Sequence, residues 1–139
     1  MVYSAIITLN TRGEDDIVDI TDKTQDLVRT SDIRNGLCNI FVTGSTAAVT
    51  TIEYEPGVLS DLSRALSVTA PTNIPYEHDN RWGDGNGRSH VKAALVGPSL
   101  TVPVQDGILV LGTWQQIVVL ELDTRPRHDR RVVVTVMGE

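Results

Sequence analysis

The order of strand-like and helix-like segments is the sequence feature that most limits how this chain can fold. Two strand patterns precede a first helix pattern, two more precede a second helix, and four strand patterns follow the last helix. Parallel α/β folds alternate strands with helices, whereas runs of strands separated by turn residues are typical of antiparallel sheets. The sequence therefore predicts an α+β fold, mainly an antiparallel β-sandwich with two or three short helices.

The predicted strands are rich in β-branched residues and end at turn residues. They span residues 2–9, 14–20, 37–43, 49–54, 99–104, 108–111, 116–123 and 131–137. Apolar residues at helical spacing predict helices over 23–34, ending at Asn35-Gly36, and over 56–68, with a third over 90–96 that Ser89 caps. Residues 73–89 show no periodicity, and a loop of this length is typically functional or disordered. Its polar residues are therefore candidates for a site.

Length and composition exclude several classes of protein. The 139 residues correspond to one domain, residues 1–139, at about 100–200 residues per domain. Twelve basic against eighteen acidic residues give a net charge of −6, without the basic face that nucleic-acid binding needs. No apolar run approaches the roughly 18–20 residues that cross a bilayer, and the first residues lack a basic signal region. With Cys38 as the sole cysteine, we expect a cytoplasmic protein with no nucleic-acid or membrane partner.

His78, Asp79 and His90 form the first candidate site. The two histidines are twelve residues apart across a glycine-rich segment. Imidazole titrates near neutral pH and binds first-row metals, so the group can hold a metal ion or act as acid and base. The spacing matches no dedicated zinc motif, and two ordinary loop histidines are the alternative interpretation.

Two turns of small residues are candidate phosphate sites. Arg88 and Ser89 lead into the third helix, where free backbone amides attract anions. Ser45 and Thr46 offer two hydroxyls in the turn that follows Gly44. Neither turn is a P-loop, and the alternatives are ordinary helix capping and a tight strand connection.

Charged and aromatic residues near apolar strands form a third group. Glu53 ends one predicted strand, and Glu121 interrupts the apolar run of another. A carboxylate buried in such a run is either paired or functional. The alternative for Glu121 is that the alternation of side chains along the strand turns it to solvent. Trp114 is either a pocket wall or a core residue. A cluster near the C-terminus can meet a phosphate or a subunit, or form a solvated hairpin; its members are Arg125, Arg127, Arg130 and Arg131.

Several of these motifs, in this order, resemble the UPF0047 family, also called the YjbQ-like or secondary thiamine-phosphate synthase family. The resemblance extends over nearly the whole chain. The motifs that carry it are Gly44-Ser45-Thr46-Ala47-Ala48 through Glu53, Tyr76-Glu77-His78-Asp79, Ser89-His90-Val91-Lys92-Ala93, Gly97-Pro98-Ser99-Leu100 to Pro103-Val104, and Leu111-Gly112-Thr113-Trp114-Gln115.

The resemblance implies a homotrimer with pockets between subunits that joins a pyrimidine diphosphate to a thiazole phosphate and releases pyrophosphate. Many relatives place a histidine where this chain has Gly44, so one potential metal ligand is absent, and Glu53 or Asp79 is its potential replacement. We expect His90, His78 and Glu53 to take part in catalysis, and Ser45, Thr46, Arg88 and Ser89 to bind phosphate. Tyr76, Trp114 and Gln115 are expected to line the pocket. The expected ligands of a divalent ion, Mg²⁺ or Zn²⁺, are His78, His90 and Asp79.

Two other functions remain compatible with the residues. One is a non-catalytic protein that binds a metal or a phosphorylated metabolite. The other is a metal-dependent hydrolase in which His78, His90 and a carboxylate activate water. Retention of metal after dialysis favours the hydrolase, whereas anion affinity without turnover favours the binding protein.

Overall fold

The strand and helix boundaries come from a computed structural model, which describes residues 1–126 and 128–139. Within these residues the strands are β1 (Val2–Thr11), β2 (Ile17–Asp19), β3 (Gly36–Val42), β4 (Ala47–Ile52), β5 (Ser99–Gln105), β6 (Ile108–Leu109), β7 (Gln116–Glu121) and β8 (His128–Gly138). The helices are α1 (Thr21–Ser31), α2 (Pro56–Thr69), α3 (Glu77–Trp82) and α4 (Gly87–Val96). The predicted α+β class is confirmed, with one more helix than the sequence pattern indicated.

All strand pairs are antiparallel and form two sheets. The larger sheet has the order β1-β8-β3-β5-β6, and the smaller has the order β2-β7-β4. Strand residues alternate between faces, so each strand of the larger sheet sends every second side chain towards the smaller one. The apolar residues between the sheets, joined by α1, form the main core.

The second face of the smaller sheet is also covered. Ala48, Val118 and Leu120 turn away from the main core and pack against α2 and α4 in a second apolar cluster. Residues 117–120 of β7 are therefore buried on both faces. This explains why their sequence is a continuous apolar run rather than an alternating one.

Helix ends show where the local prediction was correct and where it was wrong. Pro56 occupies the first turn of α2 as expected, and the Glu55 carboxylate accepts hydrogen bonds from two amides of that turn, each at 2.8 Å. Helix α1 ends at Ser31 because Asp32 adopts a left-handed conformation, with φ of 57°. The expected stop at Asn35-Gly36 is wrong, since Gly36 is already part of β3 and pairs with Gly138.

The aperiodic segment 73–89 is not a loop throughout. It contains α3, and α4 begins at Gly87 rather than at residue 90. Helix α3 has only six residues, EHDNRW, with no repeated apolar position that periodicity could detect. Gly83 ends it with φ of 68°, in the left-handed region that favours glycine.

The outer face of the larger sheet carries no helix within the described residues. Two apolar rows cross its strands: Val2, Met137, Leu37 and Pro103 form one, and Ile6, Val133 and Phe41 form the other. Between them lies a polar row of Ser4, Thr135, Asn39 and Thr101. No helix in the described part of the chain is long and apolar enough to cross a membrane.

Candidate functional site

The α3–α4 segment brings the predicted histidines together. The ring centroids of His78 and His90 lie 4.5 Å apart, with 51° between the ring planes. Two carboxylates build the turn between the helices: Asp79 Oδ1 accepts the Gly87 amide at 2.8 Å, and Asp84 Oδ1 accepts the Asn86 amide at 3.0 Å. These amide bonds fix both acidic side chains beside the histidines.

His78 Nδ1 faces these two carboxylates. It lies 3.5 Å from Asp79 Oδ1 and 3.4 Å from Asp84 Oδ1, yet neither contact has hydrogen-bond geometry. Nδ1 is buried and has no hydrogen-bond partner among the described residues. Ligand-type atoms of all three residues lie within 4.8 Å of one another, an arrangement that suits a cation. Asp84 was missed by sequence reasoning, although its Gly-Asp-Gly setting indicated a turn beside His78.

His90 faces a cleft of about 350 Å³, which we call the His90 cleft. Its remaining lining residues are Gly44, Ser45, Ala47, Ala93, Ala94 and Pro98. Ser45 is exposed and supplies the hydroxyl that the sequence predicted for phosphate. Since the other lining side chains are small and apolar, polar recognition in this cleft is concentrated near His90 and Ser45.

The other predicted phosphate residues make internal contacts. Arg88 donates Nε and Nη2 to the two carboxylate oxygens of Glu14, at 2.9 and 2.8 Å. These hydrogen bonds raise the pKa of Arg88. The Ser89 hydroxyl is buried against Asn86 Oδ1 at 2.9 Å. Neither side chain lines the His90 cleft.

The structure also separates the predicted pocket residues from the histidines. Glu53 and Trp114 line a second cleft of about 600 Å³ together with Asp19, Asp22 and Glu55. Ser45 and Glu53 flank β4, whose six residues at ~3.3 Å each separate them by about 20 Å. Glu53 therefore lies far from the His90 cleft of the same chain.

Gln115 and Tyr76 likewise make contacts of their own. The Gln115 amide donates to Thr51 Oγ1 at 3.1 Å and lines a third cleft on the strand side. The Tyr76 hydroxyl donates to the Pro71 carbonyl at 2.6 Å. A Cβ atom on Gly87 would lie 2.6 Å from Tyr76 Cβ, so Tyr76 packs against the start of α4.

A buried charged network adjoins the His90 cleft. Arg130 Nε lies 2.9 Å from Glu121 Oε1, and Nη2 lies 2.5 Å from Oε2. Nη2 also contacts the Thr46 hydroxyl at 2.7 Å, and that hydroxyl donates to Asp123 at 2.9 Å. Of the three alternatives for Glu121, paired, functional or turned to solvent, the structure shows the paired one and excludes the solvent-facing one. Thr46, predicted as a phosphate ligand, has its hydroxyl within this network.

The network keeps its carboxylates ionised. Burial raises the pKa of Glu121, but hydrogen bonds from Arg130 and Thr11 outweigh burial and leave the pKa below its ordinary 4.5. The pKa of Asp123 is also lowered, because bonds from Arg125, Thr46 and Asn86 outweigh burial. Of the four C-terminal arginines, Arg127 lies outside the described residues.

The fold and site together describe a small α+β protein with a cleft lined by a histidine and adjoined by carboxylates. The chain belongs to the UPF0047 family: the family model described as "UPF0047 protein YjbQ-like" matches residues 5–139. This confirms the resemblance that the sequence motifs indicated.

Individual relatives match over the same extent. A UPF0047 protein of Methanothermobacter thermautotrophicus is 41% identical over 138 residues, covering 99% of this chain and 94% of the relative. The UPF0047 protein YjbQ of Salmonella typhimurium is 37% identical over 145 residues, covering both chains fully. The match is therefore to whole relatives and not to one shared segment.

Solved structures resemble the fold closely. A YbjQ-like protein of unknown function from Sulfolobus solfataricus P2 has a TM-score of 0.93 at 36% identity, covering 100% of this chain and 99% of that one. A hypothetical protein from Aeropyrum pernix K1 has a TM-score of 0.88 at 31% identity, covering 99% of each chain. Both likenesses support the sheet order described above.

Proposed function

We propose that this protein is an enzyme that acts on a phosphorylated small molecule in the His90 cleft. The reaction we propose is the condensation of a pyrimidine diphosphate with a thiazole phosphate. The observation that carries the proposal is the placement of His78 and His90, with ring centroids 4.5 Å apart, between a small cleft and two carboxylates. A further part of the proposal is a cytoplasmic location, which the buried thiol of the sole cysteine, Cys38, supports.

The proposed chemistry has two requirements. The thiazole nitrogen forms a bond to the methylene carbon of the pyrimidine as the bond from that carbon to the diphosphate oxygen breaks. Pyrophosphate leaves with the electron pair of the broken bond, so its growing charge must be stabilised and water must be excluded. His90 and Ser45 provide donors for the leaving group, and Ala47, Ala93 and Pro98 provide the apolar walls.

A divalent ion fits the residues beside this cleft. The unpartnered His78 Nδ1 faces Asp79 and Asp84, and this mixture of imidazole nitrogen and carboxylate oxygen suits Zn²⁺ or Mn²⁺, with Mg²⁺ favoured by the carboxylates. When bound, such an ion supplies positive charge against a diphosphate. His90 lies next to this group through its ring contact with His78.

The first experiment measures formation of thiamine phosphate from its two phosphorylated precursors with Mg²⁺ or Mn²⁺. We expect activity in the wild type and a loss of at least about 100-fold in H90A, a magnitude typical of removing a donor that stabilises developing negative charge. The matched control is H128A, since the third histidine contacts Arg125 and lies outside the cleft. Activity retained in H90A, or absent from a folded wild type, would contradict the proposal.

A separate experiment tests the metal without any turnover. Titration calorimetry with Zn²⁺ and Mn²⁺ should show one site in the wild type and at least tenfold weaker binding in D84N. The control is D61N, because Asp61 is an exposed carboxylate that pairs with the exposed Arg64. Equal affinities in the two variants would remove Asp84 from the proposed site.

The proposal also includes a homotrimer. It is supported by the two apolar rows on the outer face of the larger sheet, where Phe41, Ile6 and Leu37 are 41–48% exposed. Contiguous apolar patches of this kind mark interaction surfaces. Sedimentation velocity at micromolar concentration tests the assembly directly.

A further inference from the structure

The buried guanidinium of Arg130 lies next to the His90 cleft with one amino group unused. Nε and Nη2 are occupied by Glu121 and Thr46, at distances between 2.5 and 3.0 Å. An arginine has five N–H donors, and these two nitrogens carry three of them. The two donors on Nη1 have no hydrogen-bond partner among the described residues, although 97% of the side chain is buried, as its relative exposure of 3% shows.

Nη1 is uncovered because residue 44 is a glycine and has no side chain to stand over it. A Cβ atom built on Gly44 would lie 2.7 Å from Nη1 and 4.0 Å from the guanidinium carbon, and apart from the adjacent residues 43 and 45 no other atom of the described residues comes within 4 Å. A side chain at position 44 would therefore stand directly against this donor. Gly44 also lines the His90 cleft beside Ser45, so this position belongs to that cleft.

We infer that Arg130 Nη1, reached across Gly44, is a phosphate-binding donor of the His90 cleft. This rests on the proposed function and deepens it, because it assigns the group that recognises the phosphate of the substrate. The ligand is a phosphate monoester or a diphosphate, whose oxygens accept hydrogen bonds from Nη1 and from the Ser45 hydroxyl. Arginine suits this task because its planar fork stays charged and is directed by its partners.

The surrounding charges decide how the donor works. Glu121 neutralises Arg130, so attraction to an anion comes from directed N–H groups more than from net charge. Because Glu121 and Thr46 hold the guanidinium in place, binding requires no ordering of a long flexible side chain. Arg88, the arginine that the sequence predicted for this role, is already engaged with Glu14.

The test uses inorganic phosphate and pyrophosphate as probes, with chelator present so that no metal contributes. Calorimetry on the full chain should show binding to the wild type and about tenfold or weaker affinity for G44A, which corresponds to one lost hydrogen bond to a charged group. The matched control is G97A. Gly97 has φ of +100°, close to the +114° of Gly44, but a Cβ there would meet nothing within 4 Å.

Both variants place an alanine at a positive φ, and only G44A covers Nη1. Loss of affinity in G44A alone supports the inference. Equal loss in both variants, no loss in either, or no phosphate binding to the wild type would overturn it. These outcomes do not depend on condensation, so an enzyme assay that fails leaves this test intact.

A second measurement needs no substitution. Carbon-detected NMR observes the Nη1 nitrogen of Arg130 even where its protons exchange rapidly, and the bonds to Glu121 and Thr46 keep Nη1 distinct from Nη2 by holding the guanidinium in one orientation. Adding phosphate should shift the Nη1 signals more than the Nε signal, whereas acetate at the same concentration should shift them less. Unchanged Nη1 signals at saturating phosphate would assign Arg130 a purely structural role.

Discussion

The ion pair between Arg130 and Glu121 connects the two sheets of the sandwich. Arg130 is on β8 of the larger sheet, Glu121 ends β7 of the smaller one, and their side chains are 3% and 0% exposed. Thr11 donates a further hydrogen bond to Glu121, and Arg130 donates one to the Thr46 hydroxyl. A buried charge pair of this kind depends on both partners, because removal of one leaves an uncompensated charge.

The first prediction concerns the stability of this pair. R130A should lower the free energy of unfolding by about 3–5 kcal/mol, because it leaves the Glu121 carboxylate buried without its partner. Urea unfolding followed by circular dichroism measures the change. The control is R64A, since Arg64 and Asp61 are exposed and such pairs contribute about 0–1 kcal/mol. Similar losses in the two variants would contradict the prediction.

The second prediction concerns acid stability. Folding lowers the pKa values of Glu121 and Asp123. Their contribution to the free energy of unfolding is therefore fully present above the ordinary pKa values of 4.5 and 3.8. It is lost as the pH falls below those values, because the unfolded chain then binds more protons. The free energy of unfolding should therefore decrease between pH 5 and pH 3.

Urea unfolding at a series of pH values measures this decrease. The comparison is E121Q, which lacks the Glu121 carboxylate but keeps Asp123, and its free energy of unfolding should therefore decrease less steeply with falling pH over the same range. If the wild type and E121Q had the same slope, the pH dependence would come from other groups.

The third prediction concerns Cys38. Its side chain is completely buried in β3, and burial raises the pKa of the thiol to about 11. Because the thiolate is the reactive form, the native protein should react with a thiol reagent at pH 8 far more slowly than the unfolded protein. Rates in buffer and in urea measure the difference. Rapid modification of the native protein would show that β3 opens readily.

The fourth prediction concerns the outer face of the larger sheet. F41E places a charge in the apolar row beside Val133 and should shift the proposed trimer towards monomers in sedimentation velocity. V68E is the control, because Val68 is a 76% exposed apolar residue on α2 and lies away from this face. A wild type that sediments as a monomer would contradict the proposed assembly.

Much of the fold was predictable because its signals are local. β-branched runs and turn residues located the strands, and Pro56 located the start of α2. Helix α3 was missed because six mixed polar residues contain no repeated apolar position. The end of α1 was misplaced because Asp32 adopts a left-handed conformation that a pattern search assigns to glycine.

The candidate site was only partly predictable. His78, His90 and Ser45 could be chosen from residue chemistry, and the structure places His78 against His90 and His90 in one cleft with Ser45. Arg88 and Ser89 can also donate hydrogen bonds to phosphate, but they bond to Glu14 and Asn86 instead, and these partners could not be identified from spacing. Glu53 and Trp114 were predicted to act with the histidines, but they line a separate cleft, and the length of β4 separates Glu53 from the His90 cleft of the same chain.

The sequence by itself determined the α+β class, the family and the residue types available for chemistry, because periodicity, turns and motifs are read along the chain. Only the tertiary structure decided which polar groups are used internally and which remain free. Arg130 illustrates the difference: in sequence it is one of four similar arginines, and in the fold it is buried with Nη1 uncovered beneath Gly44. Pairing across sheets joins residues that are distant in sequence, so no local pattern contains it.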